Sequence, residues 1–378
     1  MIRDVLIYDT ETDSLDIDKA KVKFFGAYSY IDNDYHLLDG REVDKIASLL
    51  QRHRVLVSFN GKLFDNPILI NNGYELENKF KIFIDLYEIS APKASGGHGK
   101  YNKNKLIQMG VEIKKFSLRN IIDVLKLDAE GSKGDIDYKI FQKNEWTKEE
   151  IAEIHTYLKQ DIVLTKKLFF WYEQQFEPLK NFLSKSSQRN FKHIISSFSS
   201  LGYEIICNKA GLKVEYGEKA DGIKKSYEGA HHINPRKEKV KGNIVNMDFT
   251  SAYPHVLMMG NLYSHANEGW NGDGYFNLKG IYNNKEQGKV ERALKEVLLE
   301  RLKAKKMKDE VKSKGYKIVI NCLYGLTGNP VFKSLYNQTT ASDCTSMVRT
   351  CLKKLAKTLE ENGFEVLYGF TDNVIVLI

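Results

Sequence analysis

Cysteine, proline and long apolar runs are all scarce in this chain of 378 residues. The four cysteines (Cys207, Cys322, Cys344, Cys351) form no C-x-x-C pair, which argues against a disulfide framework or a thiolate zinc site. Six prolines and the lack of any low-complexity tract argue against disorder. No apolar stretch approaches the ~20 residues that span a bilayer. The start, Met1-Ile2-Arg3-Asp4-Val5, lacks the apolar core of a secretory leader. What is present suits globular cores: 42% hydrophobic residues, with 21 Tyr and 19 Phe. At roughly 100–200 residues per domain, the length predicts two or three domains. A soluble, cytoplasmic, multidomain protein with no membrane partner is expected.

The net charge is +8, which suits a polyanionic partner without proving one. The excess is concentrated between Lys289 and Lys317, where eleven Lys/Arg face five Asp/Glu. Most such runs are solvated helix faces. A phosphate-binding element is the sharper reading.

The local patterns give an α/β alternation. Residues 4–8, 22–29 and 55–59 read as strands. Thr147-Lys148-Glu149-Glu150 is a capping box that opens a helix to about residue 175. Residues 243–249 read as a strand, and 289–313 as a charged helix interrupted by Gly315, with a second helix over 316–325. A helix over 345–361 stops at Gly363, and a hairpin follows around residues 369–373.

Two constellations of carboxylates stand out. Asp9 and Glu11 are two apart at the end of the first strand, so alternation puts both on one face. Asp65 follows the strand near Asn60. Asp161 shares a helix face with Ile154, Leu158, Thr165 and Leu168, and Tyr157 precedes it by one turn. A buried carboxylate needs a partner or a metal. Four converging carboxylates suit two hard divalent cations around an in-line phosphoryl displacement. In the second constellation, Asp248 ends a strand and Asp372 sits in the hairpin. Between them, Arg301, Lys305, Lys308 and Lys312 fall on one helical face. Lys317, Asn321 and Tyr324 repeat that spacing, running from cation to amide to aromatic, as phosphates and a base would require.

Asp9-Thr10-Glu11, Asn60-Gly61-Lys62-Leu63-Phe64-Asp65 and Tyr157-Leu158-Lys159-Gln160-Asp161 resemble the three motifs of proofreading 3′–5′ exonucleases of the ribonuclease H-like type. The resemblance implies that Asp9, Glu11, Asp65 and Asp161 hold two metals and that Tyr157 orients the water. It also implies that Asn60 and Phe64 grip the primer end. The segment beginning Ser117-Leu118 is similar to a single-strand-binding motif. The segment around Lys133 is similar to one whose lysine assists hydrolysis. Both resemble the exonuclease domain of protein-primed phage DNA polymerases.

The second constellation resembles family B DNA polymerases. Asp248 to Pro254 is similar to motif A, Lys317 to Gly325 to motif B, and Tyr368-Gly369-Phe370-Thr371-Asp372-Asn373 to motif C. Tyr227-Glu228-Gly229-Ala230 is similar to the linker motif between exonuclease and polymerase domains, which makes Tyr227 and Gly229 candidate DNA contacts. The resemblance implies that Asp248 and Asp372 ligate metal, and that Arg301, Lys305 and Lys317 bind the triphosphate. Asn321 and Tyr324 would lie beside the nucleotide, with Tyr253 as the gate against a 2′-hydroxyl.

The expected fold is α/β, multidomain α+β overall. An exonuclease domain (1–180) precedes linker and first palm (181–287), helical fingers (288–328) and second palm (329–378), with an antiparallel palm sheet. The expected function is DNA-directed DNA synthesis with 3′–5′ proofreading. It would use Mg²⁺ or Mn²⁺, a DNA primer-template and deoxynucleoside triphosphates. Three departures from the family pattern qualify this. Phe370 and Asn373 replace an aspartate and a serine of motif C. The family's thumb is missing before Ile378, so either the chain is part of a larger protein or a second polypeptide carrying the thumb is its partner. Short spacings between the polymerase motifs leave little room for the insertions of protein-primed members. Two alternatives follow: an exonuclease with an inert polymerase half, or a DNA-binding replication subunit.

Overall fold

The computed structural model describes residues 4–76, 80–91, 104–127, 136–218, 228–233, 235, 239–263 and 288–378. It divides into two compact units, Met1–Glu177 with Arg189–Ser197, and Pro178–Gln188 with Phe198–Ile378. No helix among the described residues is long and apolar enough to cross a membrane.

The first unit is built on five strands: β1 (Val5–Thr12), β2 (Val22–Ser29), β3 (Asp34–Asp39), β4 (Val55–Ser58) and β5 (Ile82–Asp85). Their order is β3-β2-β1-β4-β5. β1, β2 and β3 pair antiparallel, whereas β4 and β5 run parallel to β1. Alternation along the strands makes two apolar faces. Leu6, Tyr8, Phe25 and Ala27 pack in one core with Ile46, Leu49 and Leu50 of the helix Val43–Arg52 and Ile68 and Leu69 of the helix Asp65–Asn71. Phe24 and Gly26, pointing the other way, meet the long helix Lys148–Lys180. The predicted capping box opens that helix. The Glu150 amide donates to Thr147 Oγ1 at 3.2 Å, and the Thr147 amide donates to the Glu150 carboxylate at 3.0 Å.

The second unit has a four-stranded antiparallel sheet of β6 (His232–Ile233), β7 (Ile244–Asp248), β8 (Glu365–Phe370) and β9 (Asn373–Leu377), in the order β6-β8-β9-β7. The helix Gln338–Glu361 covers one face, where Leu352 and Ala356 pack on Val366, Val374 and Val376. Three further helices, Phe198–Ala210, Lys289–Lys306 and Glu310–Thr327, pack on one another. The mixed α/β architecture is the expected one.

One expectation fails. The charged helix does not break at Gly315. It ends at Lys306, with Lys308 left-handed (φ 57°), and Asp309 caps the next helix by accepting the Lys312 amide at 3.0 Å. Gly315 lies buried inside that second helix, where a β-carbon would stand 3.5 Å from Leu179. A helical glycine costs ~1 kcal/mol, which a strong cap six residues earlier outweighs. Lys308 and Lys312 therefore do not extend the face that carries Arg301 and Lys305.

Candidate active sites

In the first unit, the pairing of β1 with β2 sets Asp9 opposite Gly26 and Glu11 opposite Phe24. All four residues face the long helix. Because Gly26 has no side chain, Leu158 and Ile162 come down onto the sheet and deliver Asp161 between them. Carboxylate oxygens of Asp9, Glu11 and Asp161 all lie within 4.8 Å of one another. The group is one of hard oxygen donors, and oxygens across an octahedral Mg²⁺ lie about 4.2 Å apart. The donor set fits a hard divalent cation. Tyr157, one turn before Asp161 on the half-buried edge of the group, has its phenol pushed up to about 12. Burial is the main cause and the Asp161 charge the next. It stays protonated at neutral pH, an O–H donor beside three acceptors.

Asp65 reaches β1 from the other face. Its carboxylate accepts the Thr10 amide at 3.0 Å and the Thr10 hydroxyl at 2.5 Å. Thr10 points away from Asp9 and Glu11 by strand alternation, and the three-carboxylate group does not include Asp65. Burial pushes the Asp65 carboxyl up to about 6, against the Thr10 hydrogen bonds that hold it down.

Asn60 and Ser117 come together in a cleft of about 500 Å³, lined also by Phe59, Leu63, Tyr87, Lys114 and Phe116. Phe59 and Tyr87 meet edge-to-face at 5.6 Å. Aromatic walls beside a lysine suit unstacked bases and their phosphate. Ser117 also caps the helix Leu118–Val124. Phe64 is turned elsewhere and packs against the core around Ile68. Lys133 lies outside the described residues.

Sequence reasoning missed Asp85, which holds the Asn60 loop in place. Asn60 is left-handed (φ 66°). Its amide donates to Asp85 Oδ1 at 2.9 Å, and the Lys62 amide donates to Oδ2 at 3.1 Å. The same carboxylate caps the helix Leu86–Ser90 through the Tyr87 and Glu88 amides. Burial nevertheless raises its pKa. The available signal was an acid ending an apolar strand, which is common and nonspecific. Asp85→Asn offers only one acceptor oxygen, so one loop amide loses its partner. The single-strand degradation expected from the sequence should then fall on the order of tenfold, mostly through KM for DNA, as initial rates against oligonucleotide concentration will show. An unchanged KM would mean that the loop needs no clamp.

In the second unit, Asp248 ends β7 opposite Asn373 of β9, and the Phe249 amide donates to the Asp372 carbonyl at 2.9 Å. The two aspartates therefore flank the β8–β9 turn, where Thr371 is left-handed (φ 59°). Burial and the nearby Asp248 raise the Asp372 carboxyl. Arg301 is 8% exposed and donates from Nη1 to Ser251 Oγ at 2.8 Å, while its Nε is buried without an acceptor. Burial lowers its pKa. A sheltered guanidinium with spare donors calls for an anion. Tyr253 and Tyr324 meet with ring centroids 4.6 Å apart. Lys305, Lys317 and Asn321 are exposed. Gly229 gives its carbonyl to Arg349 at 2.8 Å; Tyr227 lies outside the described residues.

Comparison with known proteins bears on the fold and the relatives of the chain. Residues 6–173 match the RNase H superfamily, so the first unit is an RNase H-like domain. The DNA polymerase of Archaeoglobus fulgidus is 23% identical over 91% of this chain and 46% of its own length. The DNA polymerase delta catalytic subunits of Candida albicans and Dictyostelium discoideum are 30% and 31% identical over 42% of this chain, and 18% and 17% of theirs. The family B DNA polymerase of the hyperthermophilic archaeon Pyrobaculum calidifontis superposes with a TM-score of 0.62. It is 17% identical and covers 99% of this chain and 53% of its own. The chain is thus similar in sequence to archaeal and delta DNA polymerases and in fold to a family B DNA polymerase. It spans about half the length of the archaeal relative and under a fifth of the delta subunits.

Proposed function

We propose that the chain carries out DNA-directed DNA synthesis and 3′–5′ proofreading, with the two reactions in its two units. The observation that carries the reading is the Asp9–Glu11–Asp161 group with Tyr157 beside it in an RNase H-like domain. Asp9, Glu11 and Asp161 would hold Mg²⁺ or Mn²⁺, and Asp65 would join them only on turning from its bonds to Thr10. The bound metal would activate water and stabilise the oxygens of an in-line phosphoryl displacement. Tyr157 would orient the attacking water, and the Asn60–Ser117 cleft would hold the unpaired 3′ end, with Phe64, Leu118 and Lys133 assisting. In the second unit, Asp248 and Asp372 would hold metal beside the primer end. Arg301, Lys305 and Lys317 would take the triphosphate, and Asn321, Tyr324 and Tyr253 the nucleoside, with Tyr227 and Gly229 contacting DNA. A thumb supplied by further sequence or a second polypeptide would grip the duplex. The setting is inside a cell, as DNA replication requires.

A labelled hairpin primer in Mg²⁺ tests the reading. Without nucleotides the 3′ end should shorten, and with them it should lengthen. Arg301→Ala and the exposed Lys317→Ala should each raise KM for nucleotide roughly 10- to 100-fold, since each deletes a charge-assisted phosphate contact. Degradation without nucleotides should be unchanged. Equal loss of both activities would signal a folding defect instead. Phe370 in place of an acid favours a second reading, an exonuclease with an inert polymerase half. That reading wins if the parent never extends the primer and Asp248→Ala changes nothing.

A further inference from the structure

The open face of the palm-like sheet, away from the helix Gln338–Glu361, carries a row of side chains that crosses all four strands. The register aligns His232 with Phe370, Phe370 with Asn373, and Asn373 with Asp248. Directly paired residues share a face, so one end of this row is aromatic and the other is the candidate metal-holding carboxylate. Phe370 is 45% exposed although it is a phenylalanine. It is not a core residue. Its ring lies 4.3 Å from His232, and Tyr368 stacks 6.4 Å away at 19°. Between ring and carboxylate, Asn373 has its Oδ1 shielded from solvent without a donor, while its Nδ2 reaches Asn246 at 3.3 Å.

Strand spacing puts Phe370 about 10 Å from Asp248, two strands away. That is the scale of one nucleotide reaching from its 3′ oxygen to its base. An acid at position 370 would repel the primer phosphates. An exposed ring offers instead a stacking surface that any base accepts. We infer that Phe370, backed by His232, is a binding shelf for the terminal nucleotide of the primer strand. The residue that departs from motif C thus replaces charge with stacking. This rests on the polymerase reading of the second unit.

The test uses the full chain with Asp9→Ala and Glu11→Ala, so that the probe survives. The probe is a matched primer-template with 2-aminopurine at the primer's 3′ end, at low salt. Phe370→Ala should weaken binding about five- to tenfold by anisotropy and raise 2-aminopurine emission as the base unstacks. Phe370→Trp should preserve both, and Phe370→Asp should bind no better than Phe370→Ala. His232→Ala should lose part of the same binding, and it reads the same surface if Phe370→Ala melts early. Unchanged affinity and emission in Phe370→Ala and His232→Ala would overturn the shelf. Failure of the polymerase reading would show separately. A parent that never extends a primer, yet loses DNA affinity in Phe370→Ala, keeps the shelf as a DNA surface without synthesis.

Discussion

Replacing Asp9 and Glu11 together by alanine is expected to lower 3′–5′ degradation of single-stranded DNA by at least about a thousandfold. Metal-held oxygens contribute several kcal/mol to a phosphoryl displacement, and about 4 kcal/mol is a thousandfold in rate. The two carboxylates supply two of the three members of the group within 4.8 Å, leaving Asp161 alone. One carboxylate cannot fix a hard cation that needs about six oxygens. Chelation by EDTA should reproduce the loss in the parent, with Mg²⁺ or Mn²⁺ restoring it. The double variant should not recover with either metal. Primer extension should survive, because Asp248 and Asp372 lie in the other unit. Degradation by the double variant at the parental rate would place the nuclease elsewhere.

Much of this site was legible in the sequence because its parts are local. Asp9 and Glu11 share a face by strand alternation, and Asp161 shares one with Leu158 by helical period, so each direction followed from spacing alone. The capping box at Thr147 fixed where the helix begins and hence its phase. What spacing could not show was long-range. Asp65 follows its strand as expected, yet its carboxylate turns to Thr10 across the sheet. The clamp from Asp85 to Asn60 joins two strand ends 25 residues apart. The helix break was misplaced because a glycine is a conspicuous breaker, whereas the Asp309 cap works through one hydrogen bond to Lys312.

Positive backbone φ occurs at eight non-glycine residues among those described, and three of them bear on the sites. These three are Asn60, Ser251 and Thr371, at 66°, 54° and 59°. Each sits in a segment singled out for chemistry: the Asn60 loop, the turn after Asp248, and the turn holding Asp372. Such residues cost on the order of 1–3 kcal/mol and persist only where their surroundings enforce them. Asp85 enforces Asn60 through its amide, and Arg301 meets the Ser251 hydroxyl. At Thr371 the amide donates to the His231 carbonyl at 3.1 Å.

Gly26→Ala should damage degradation nearly as much as losing a carboxylate, although residue 26 has no functional group. A β-carbon there would stand 2.5 Å from Ile162 Cδ1 and 2.6 Å from Leu158 Cγ. Cδ1 ends a side chain and can swing away. Cγ of Leu158 is a branch point in a fully buried residue and cannot. The helix must lift, at about 1–3 kcal/mol for the overpacking. Asp161 lies between those two contacts and lifts with it. A displacement of ~1 Å from a reacting geometry costs on the order of a hundredfold in rate, so degradation should fall by about that much, measured well below the melting temperature. Adding Leu158→Ala to Gly26→Ala reopens the space and should recover most of the lost rate, even though Leu158→Ala alone leaves a cavity. A double variant as slow as Gly26→Ala alone would show that helix height does not set the position of Asp161.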